Sequence, residues 1–483
     1  MDLLLNFNLS VLYPEITVLV LTMAVIVLDL LMPRTESRRP LGWLCAFTLI
    51  ALSGLMCSSY HIGPSETFYM GLFALDNYAV FFKQLFALSI AAAILFSLDY
   101  AEQLRWRAEF FIMMLFSLLG MMIMASSNDF ITMFLGLELM GISCYALSGF
   151  ALKDKAASKK SAEAAVKYLI IGSLSTAVLL YGLSLIYGAS GTLVFKDAQL
   201  MSGLGAAGAV LLMIGFLFKL SIIPFHMWAP DVYEGAPTPV TALLSMVSKA
   251  AALCVFARLM LTVFPIIGGF PVPLVAGLSI ICMIAGNIMA VKQSQIKRLL
   301  GYASISQMGY LLTGFAAFSA DGLKGIIFYC AIYTLANIGV FAGLTAAESQ
   351  RGGTSLGSMA GFAKSSPLMA MAMTVCLLSM AGIPPAGGFV GKFYLFMPTV
   401  ETGHVELAFV GFIMSMISVY YYLKIVKAMY ADVPIGQTQP EPLKASLPLK
   451  CTALASAGFT LLLGIWPEYL ALLTDAVSYT FGL

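Results

Sequence analysis

The chain is 483 residues long, 60% hydrophobic and only 10% charged, with a formal net charge of +2. A soluble domain carries charge on about a quarter of its residues, so this composition marks an integral membrane protein. The near-neutral balance, with no basic tail, gives no sign of a nucleic-acid partner.

The apolar runs are far longer than a barrel strand needs and show no strict alternation, so the spans are helices. The first basic residue is Arg34. A cleavable signal needs a charged leader, so the first run reads as a transmembrane helix. About fourteen spans of roughly 20 residues follow one another, near 16–32, 41–60, 78–98, 108–126, 130–151, 162–187, 204–229, 238–263, 271–291, 302–319, 323–346, 367–397, 404–428 and 451–472. The expected fold is an all-α polytopic membrane protein.

Spans seven and twelve are interrupted. The first break lies in Gly215–Pro230, where Lys219 stands five residues before Pro224; the second lies in Ala381–Lys392 around Pro384 and Pro385. Proline removes a backbone donor and clashes with the preceding turn, and carbonyls freed in lipid need protein or water as partners. An offset of five helices reverses direction across the membrane. The breaks therefore predict two inverted five-helix repeats, helices 4–8 and 9–13, and paired broken helices point to a transport site. The chain divides accordingly into an N-terminal three-helix segment (1–107), a first repeat (108–263), a second repeat (264–430), and a closing loop and helix (431–483).

Of the 26 Lys and Arg, eighteen fall in the odd-to-even connections, among them Arg34, Lys153, Lys297 and Lys444. Only Lys196, Arg258 and Lys324 fall in the opposite set. The positive-inside rule then puts the odd-to-even connections in the cytoplasm and both termini on the periplasmic side.

The eight cysteines are isolated, with no CxxC, and the three histidines (His61, His226 and His404) are dispersed. This pattern argues against an iron–sulfur, zinc or bis-histidine haem site. With no GxGxxG or Walker A motif either, no cofactor or metal is expected in this chain, and any redox chemistry belongs to another subunit.

Five lysines remain inside apolar runs: Lys83, Lys167, Lys219, Lys249 and Lys392. An ammonium at membrane depth costs at least ~2.5–3.5 kcal/mol on insertion scales, so it needs a partner, water or a task. Lysine releases a proton where its surroundings disfavour the charged form, so the set reads as a path for protons. Lys219 lies deep in span seven, one turn from its break. Glu138 has no basic residue between Phe130 and Leu152 and needs a partner, for which Lys219 is the expected choice, as a switchable or a static ion pair. Lys249, with Ser245 and Ser248 beside it, reads as a mid-membrane relay or as a lysine tied to a carbonyl. Lys392 mirrors Lys219 and reads as an exit site or as a cap on freed carbonyls. Lys167 and Lys83 lie nearer span ends, where snorkelling to the interface competes with function. His226 either bridges lysines in a proton wire or is an ordinary core histidine. Asp231 and Glu234, among Pro230, Gly235, Pro237 and Pro239, read as a polar turn.

Three segments carry a family resemblance: Gly215–Pro239, Gln295–Tyr310 and Leu378–Tyr394. Together they resemble the antiporter-like membrane subunits of respiratory complex I, over nearly the whole chain. Within the family, subunit M usually has glutamate where Lys392 stands, and subunit L has a long C-terminal lateral helix that is missing here; chain length and Lys392 fit the remaining branch. The resemblance implies fourteen helices, inverted five-helix repeats, and proton transfer coupled to quinone reduction in other subunits. It makes Glu138 the buried glutamate, Lys219 the broken-helix lysine, Lys249 the central lysine, Lys392 the exit lysine and Lys167 the lysine of span six, and gives Lys83 no role. It implies a place in a bacterial inner membrane, beside an adjacent subunit M, a small subunit K and the lateral helix of subunit L.

The expected function is that of a proton-translocating subunit of a proton-pumping NADH–quinone oxidoreductase. Protons would enter near Lys167 and the Glu138–Lys219 pair, pass His226 to Lys249, and leave at Lys392. The alternatives are an Mrp-type cation/proton antiporter subunit, a subunit of a related ferredoxin- or deazaflavin-dependent complex, or a structural spacer.

Overall fold

Backbone amides in hydrocarbon find no water, so each long apolar run folds as a helix that satisfies them internally. The structure, a computed structural model, describes residues 9–33, 35–60, 66–69, 71–150, 155–198, 200–264, 271–433 and 445–478. Arg34, His61, Lys153 and Lys444 lie outside the described residues.

The N-terminal segment holds α1 (Tyr13–Leu31), α2 (Arg39–Met56) and α3 (Asn77–Ala101). The next stretch holds α4 (Arg107–Ser126), α5 (Phe130–Ser148), α6 (Lys155–Ser190), α7 (Gly203–Lys219), α8 (Trp228–Gly235), α9 (Thr238–Ser245) and α10 (Val247–Thr262). Then follow α11 (Pro271–Val291), α12 (Ile296–Ala317), α13 (Ala320–Arg351), α14 (Phe362–Ser365), α15 (Pro367–Ala381), α16 (Gly387–Glu401) and α17 (Val405–Tyr430). The chain closes with α18 (Leu447–Ile465) and α19 (Glu468–Ser478). Short polar side chains start several of them: Asp76 accepts from the Ala79 amide at 2.7 Å, and Asp129 from those of Ile131 and Thr132 at 2.9 and 3.0 Å.

Eleven described spans are by themselves long and apolar enough to cross a membrane. The other three of the fourteen read from the sequence are α7 with α8, α12, and α15 with α16, which are broken or rich in polar groups. Both expected breaks are present, at residues 220–227 and 382–386.

Three sequence expectations need correction, and one small element is added to the helical fold: a short antiparallel hairpin, β1 (Glu66–Phe68) with β2 (Phe73–Leu75), joins α2 to α3. α12 starts at Ile296, so Lys297 lies in its first turn, 5% exposed, rather than in a loop. Arg258 is not a loop charge but a buried residue of α10. The last span ends at Ile465, and Pro467 separates it from α19.

Helices pack where small residues let backbones meet. A Cβ on Gly120 of α4 would lie 2.6 Å from the Gly136 carbonyl oxygen of α5. One on Gly309 of α12 would lie 2.8 Å from the Met283 amide nitrogen of α11. These two pairs are the corresponding first two helices of the expected repeats. α9–α10 and α13 form the centre: the apolar stretch of the first is wholly buried and that of the second 94% buried, against 28% for the peripheral α17.

Candidate functional site

The site is built where helices stop inside the protein. α7 ends on Lys219, and Pro224 prevents its continuation. Its last carbonyls are not left bare: Phe218 O accepts from Trp228 Nε1 at 3.0 Å, and Leu217 O from the Ile222 amide at 2.8 Å. α15 ends on Ala381, followed by Gly382 at φ +84°. That left-handed residue turns the chain and donates its amide to Ser379 O at 2.9 Å.

Both ammonium groups lie at such C-terminal helix ends, where the carbonyl dipoles favour a cation. Lys219, 5% exposed, is itself the last residue of α7 and donates to Tyr145 Oη at 3.0 Å. Lys392, 4% exposed, comes from α16 and reaches back to the end of α15. It donates to Met380 O at 3.3 Å, Ala381 O at 3.1 Å and Ser415 Oγ at 2.7 Å.

The direct Glu138–Lys219 pair expected from the sequence does not form. Glu138, Gly141 and Tyr145 share one face of α5 at helical spacing. Lys219 meets that face at Gly141, where a Cβ would lie 3.1 Å from its Nζ, and at Tyr145, farther along than Glu138. Glu138 instead accepts from Thr176 Oγ1 of α6 at 2.9 Å and is only partly buried.

Lys249, fully buried, sits in α10 just after a helix irregularity at Met246 that separates α9 from α10. The Leu244 carbonyl there accepts from Ser248 Oγ at 2.8 Å and Tyr233 Oη at 3.2 Å. Lys249 Nζ donates to Ser304 Oγ of α12 at 2.8 Å and lies 5.7 Å from the centre of the Tyr233 ring. Its partner is therefore neither Ser245 nor Ser248, the neighbours singled out in the sequence.

One turn beyond Ser304 on α12, Gln307 continues the polar row. Its Nε2 donates to Met380 O at 3.1 Å and Tyr422 Oη at 3.3 Å, and its Oε1 accepts from Tyr329 Oη. Gln307 and Lys392 thus share one carbonyl, that of Met380. Ser304, Gln307, Tyr329 and Tyr422 were missed in the sequence. A glutamine inside an apolar span was the available signal, because a buried amide there needs partners.

The other candidates lie apart. Lys167 has a side chain 43% exposed and pairs with Glu163 at 2.7 Å and Asp231 at 3.3 Å. Asp231 and Glu234 are not in a simple turn but on α8, where Arg298 bridges them at 2.7 and 3.2 Å. His226 lies in the first break and is partly buried; its Nδ1 has no hydrogen-bond partner, so it bonds neither lysine through that atom. Aromatic contacts lead from Lys219 to Lys249 instead: Tyr145 meets Tyr168 edge-on at 4.6 Å, Tyr168 stacks on Trp228 at 4.6 Å, and Trp228 meets, at 6.4 Å, the Tyr233 ring that Lys249 overlies. Lys83 does not snorkel. It is buried against Glu15 of α1, with Nζ and Oε1 2.6 Å apart. Glu15, Asp76 and Asp129 are buried carboxylates that the sequence reading passed over.

With this geometry in place, comparison with known proteins is informative. Residues 127–418 match the family model described as NADH:quinone oxidoreductase/Mrp antiporter, TM. The chain is 42% identical over 469 residues to the NADH-quinone oxidoreductase subunit N of Heliobacterium modesticaldum, covering 96% of this chain and 98% of that one. A chain of respiratory complex I from Thermus thermophilus with bound aureothin superposes with a TM-score of 0.80 at 28% identity, over 95% of this chain and 98% of that one. A chain of the Mrp complex from Dietzia sp. DQ12-45-1b has a TM-score of 0.81 at 21% identity, over 99% and 97%, and is alike in fold.

Proposed function

This chain belongs to the NADH:quinone oxidoreductase/Mrp antiporter transmembrane family, and from that membership we propose that it is a proton-translocating membrane-arm subunit of an NADH–quinone oxidoreductase. Quinone reduction takes place in other subunits. This chain supplies a buried route whose groups hold and pass protons between the two faces of a bilayer.

One observation carries the reading: the row Lys249–Ser304–Gln307–Met380 O–Lys392, which joins the middle of the first repeat to the broken helix of the second. Ser304 accepts from Lys249 Nζ and itself donates to Gly301 O, so it holds the ammonium against α12, and a proton leaving Lys249 would pass along this polar face through water rather than through the serine hydroxyl. At Gln307 the amide and the two phenols fix the direction of the hydrogen bonds. Lys392, at the end of α15, is the terminal acceptor. In the first half, Lys219 holds the corresponding position, with Glu138 one helical turn from Gly141 on the face of α5 that Lys219 meets. The cluster of Lys167 (α6), Asp231 and Glu234 (α8) and Arg298 (α12) is the proposed entry side. His226 is a candidate link between Lys219 and Lys249.

The same reading carries the finer assignments: the division into an N-terminal segment, two inverted repeats and a closing helix; both termini on the periplasmic side of a bacterial inner membrane; and contacts with subunits M, K and the lateral helix of L. An Mrp-type antiporter has the same fold, and sodium transport by this chain would favour it.

The test is proton pumping by the assembled complex in proteoliposomes. Lys249→Ala and Lys219→Ala should each reduce quinone-coupled pumping by ~10²-fold or more, the usual worth of a positioned acid–base group. Full pumping in both variants would remove the reading.

A further inference from the structure

A deep cleft on the side of the molecule lies outside the proton route. Its apolar part, about 630 Å³, runs between α3, α13 and α18, with walls that include Phe81, Leu88, Leu335, Ile338, Phe459 and Leu463. Leu88 and Phe459 are 47% and 56% exposed, so the cleft opens sideways. Along α18 it extends from Leu447 to Leu463, roughly 24 Å at about 1.5 Å per residue. That is most of the ~30 Å depth of a bilayer's hydrocarbon core.

Beyond one end of the cleft, the same helices line a second, polar pocket that shares no wall residue with it and carries Arg39, Asp99, Gln103 and Ser446 at its mouth. Arg39 Nη2 and Asp99 Oδ1 are 2.6 Å apart, with side chains 53% and 33% exposed. The remaining guanidinium nitrogens and the second carboxylate oxygen have no side-chain partner among the described residues. The mouth thus offers one cation and one anion, side by side, above an apolar slot.

We propose that this cleft binds a phospholipid with a phosphoethanolamine headgroup, its phosphate on Arg39, its ammonium on Asp99 and an acyl chain in the slot. Guanidinium donates to a phosphate oxygen in a charge-assisted hydrogen bond, and a carboxylate accepts from an ammonium in the same way. Phosphatidylglycerol would satisfy Arg39 through its phosphate but would offer Asp99 only neutral glycerol hydroxyls, without the charge assistance of an ammonium. A flexible hydrocarbon chain fits a narrow slot that bulky side chains line. This site is independent of the proton route and does not rest on it.

The experiment uses the assembled complex in proteoliposomes with a phosphatidylethanolamine that carries a diazirine in its acyl chain. After illumination, labelled peptides are mapped by mass spectrometry. Label is expected on the α13 and α18 walls, around Leu335 and Phe459. Unlabelled phosphatidylethanolamine should compete about two- to fivefold better than phosphatidylglycerol, the factor that one half-exposed ion contact supports. Asp99→Asn should remove that preference, and Ala455→Trp, at an exposed position on the slot wall, should remove the label. Unlabelled walls would show that another subunit covers the cleft and would overturn the proposal. Equal competition by the two lipids, or label unaffected by Ala455→Trp, would overturn it as well.

Discussion

At the scale of single residues, the three central lysines differ in what surrounds them. Lys219 faces a phenol, Lys249 a serine hydroxyl, and Lys392 two carbonyls and a hydroxyl. None of the three touches a carboxylate within 4.0 Å among the described residues, whereas Lys83 does, at 2.6 Å. On the proposed route, this contrast in partners sets Lys83, fastened to a carboxylate, apart from the three central lysines, which only neutral groups hold. Ser304→Ala leaves Lys249 without its hydroxyl and costs the contact about 1.5–3 kcal/mol, as for a hydrogen bond to a charged group. The expected result is at least a tenfold slower pumping rate, with the complex still assembled, read by dye quenching in proteoliposomes. The lysines were legible because a positive charge in an apolar run is rare and expensive. Ser304 and the phenols of Tyr145, Tyr329 and Tyr422 were not, because hydroxyl-bearing residues are frequent in membrane helices and reveal their partners only in three dimensions.

Among the elements, the broken helices do the positioning. Ending α7 and α15 inside the protein places helix C-termini in its interior, and each end receives an ammonium. The paired breaks showed this equivalence in the sequence, even though Lys219 precedes its break and Lys392 follows its own. Gly382 makes the second arrangement possible: at φ +84° a side chain is strained, and a Cβ would lie 3.1 Å from Lys392 Nζ. Gly382→Ala should cost ~1–2 kcal/mol in backbone strain, seen as a lower melting temperature of the detergent-solubilised complex; an unchanged value would show that the turn relaxes freely. The breaks themselves were plain in the sequence, because proline cannot be accommodated silently in a span. The irregularity at Met246, beside Lys249, was not, because no proline or glycine marks it.

For the molecule as a whole, buried ion pairs fasten the N-terminal segment. Asp76, which caps α3, holds Arg258 of α10 through two contacts of 2.8 and 3.1 Å, and Arg258 also donates to Ala125 O of α4 at 3.1 Å. Glu15–Lys83 fastens α1 to α3. Breaking such a pair strands a buried charge at a cost of about 3–5 kcal/mol, while replacing both partners by apolar groups is often neutral. Asp76→Asn should therefore destabilise the subunit strongly, and Asp76→Leu with Arg258→Met should recover most of the loss in a double-mutant cycle of melting temperatures. The charge asymmetry of Arg258 misled the loop count because a basic residue one turn inside a helix end looks the same in sequence as one in a loop. Within the second repeat the proposed row runs through Gln307, between Ser304 and Lys392, and this side chain can be removed while every lysine stays. The most direct measurement is the number of protons moved per electron pair by the reconstituted complex carrying Gln307→Leu. The row predicts a lower ratio than in the parent complex while quinone reduction continues; an unchanged ratio at full turnover would contradict it.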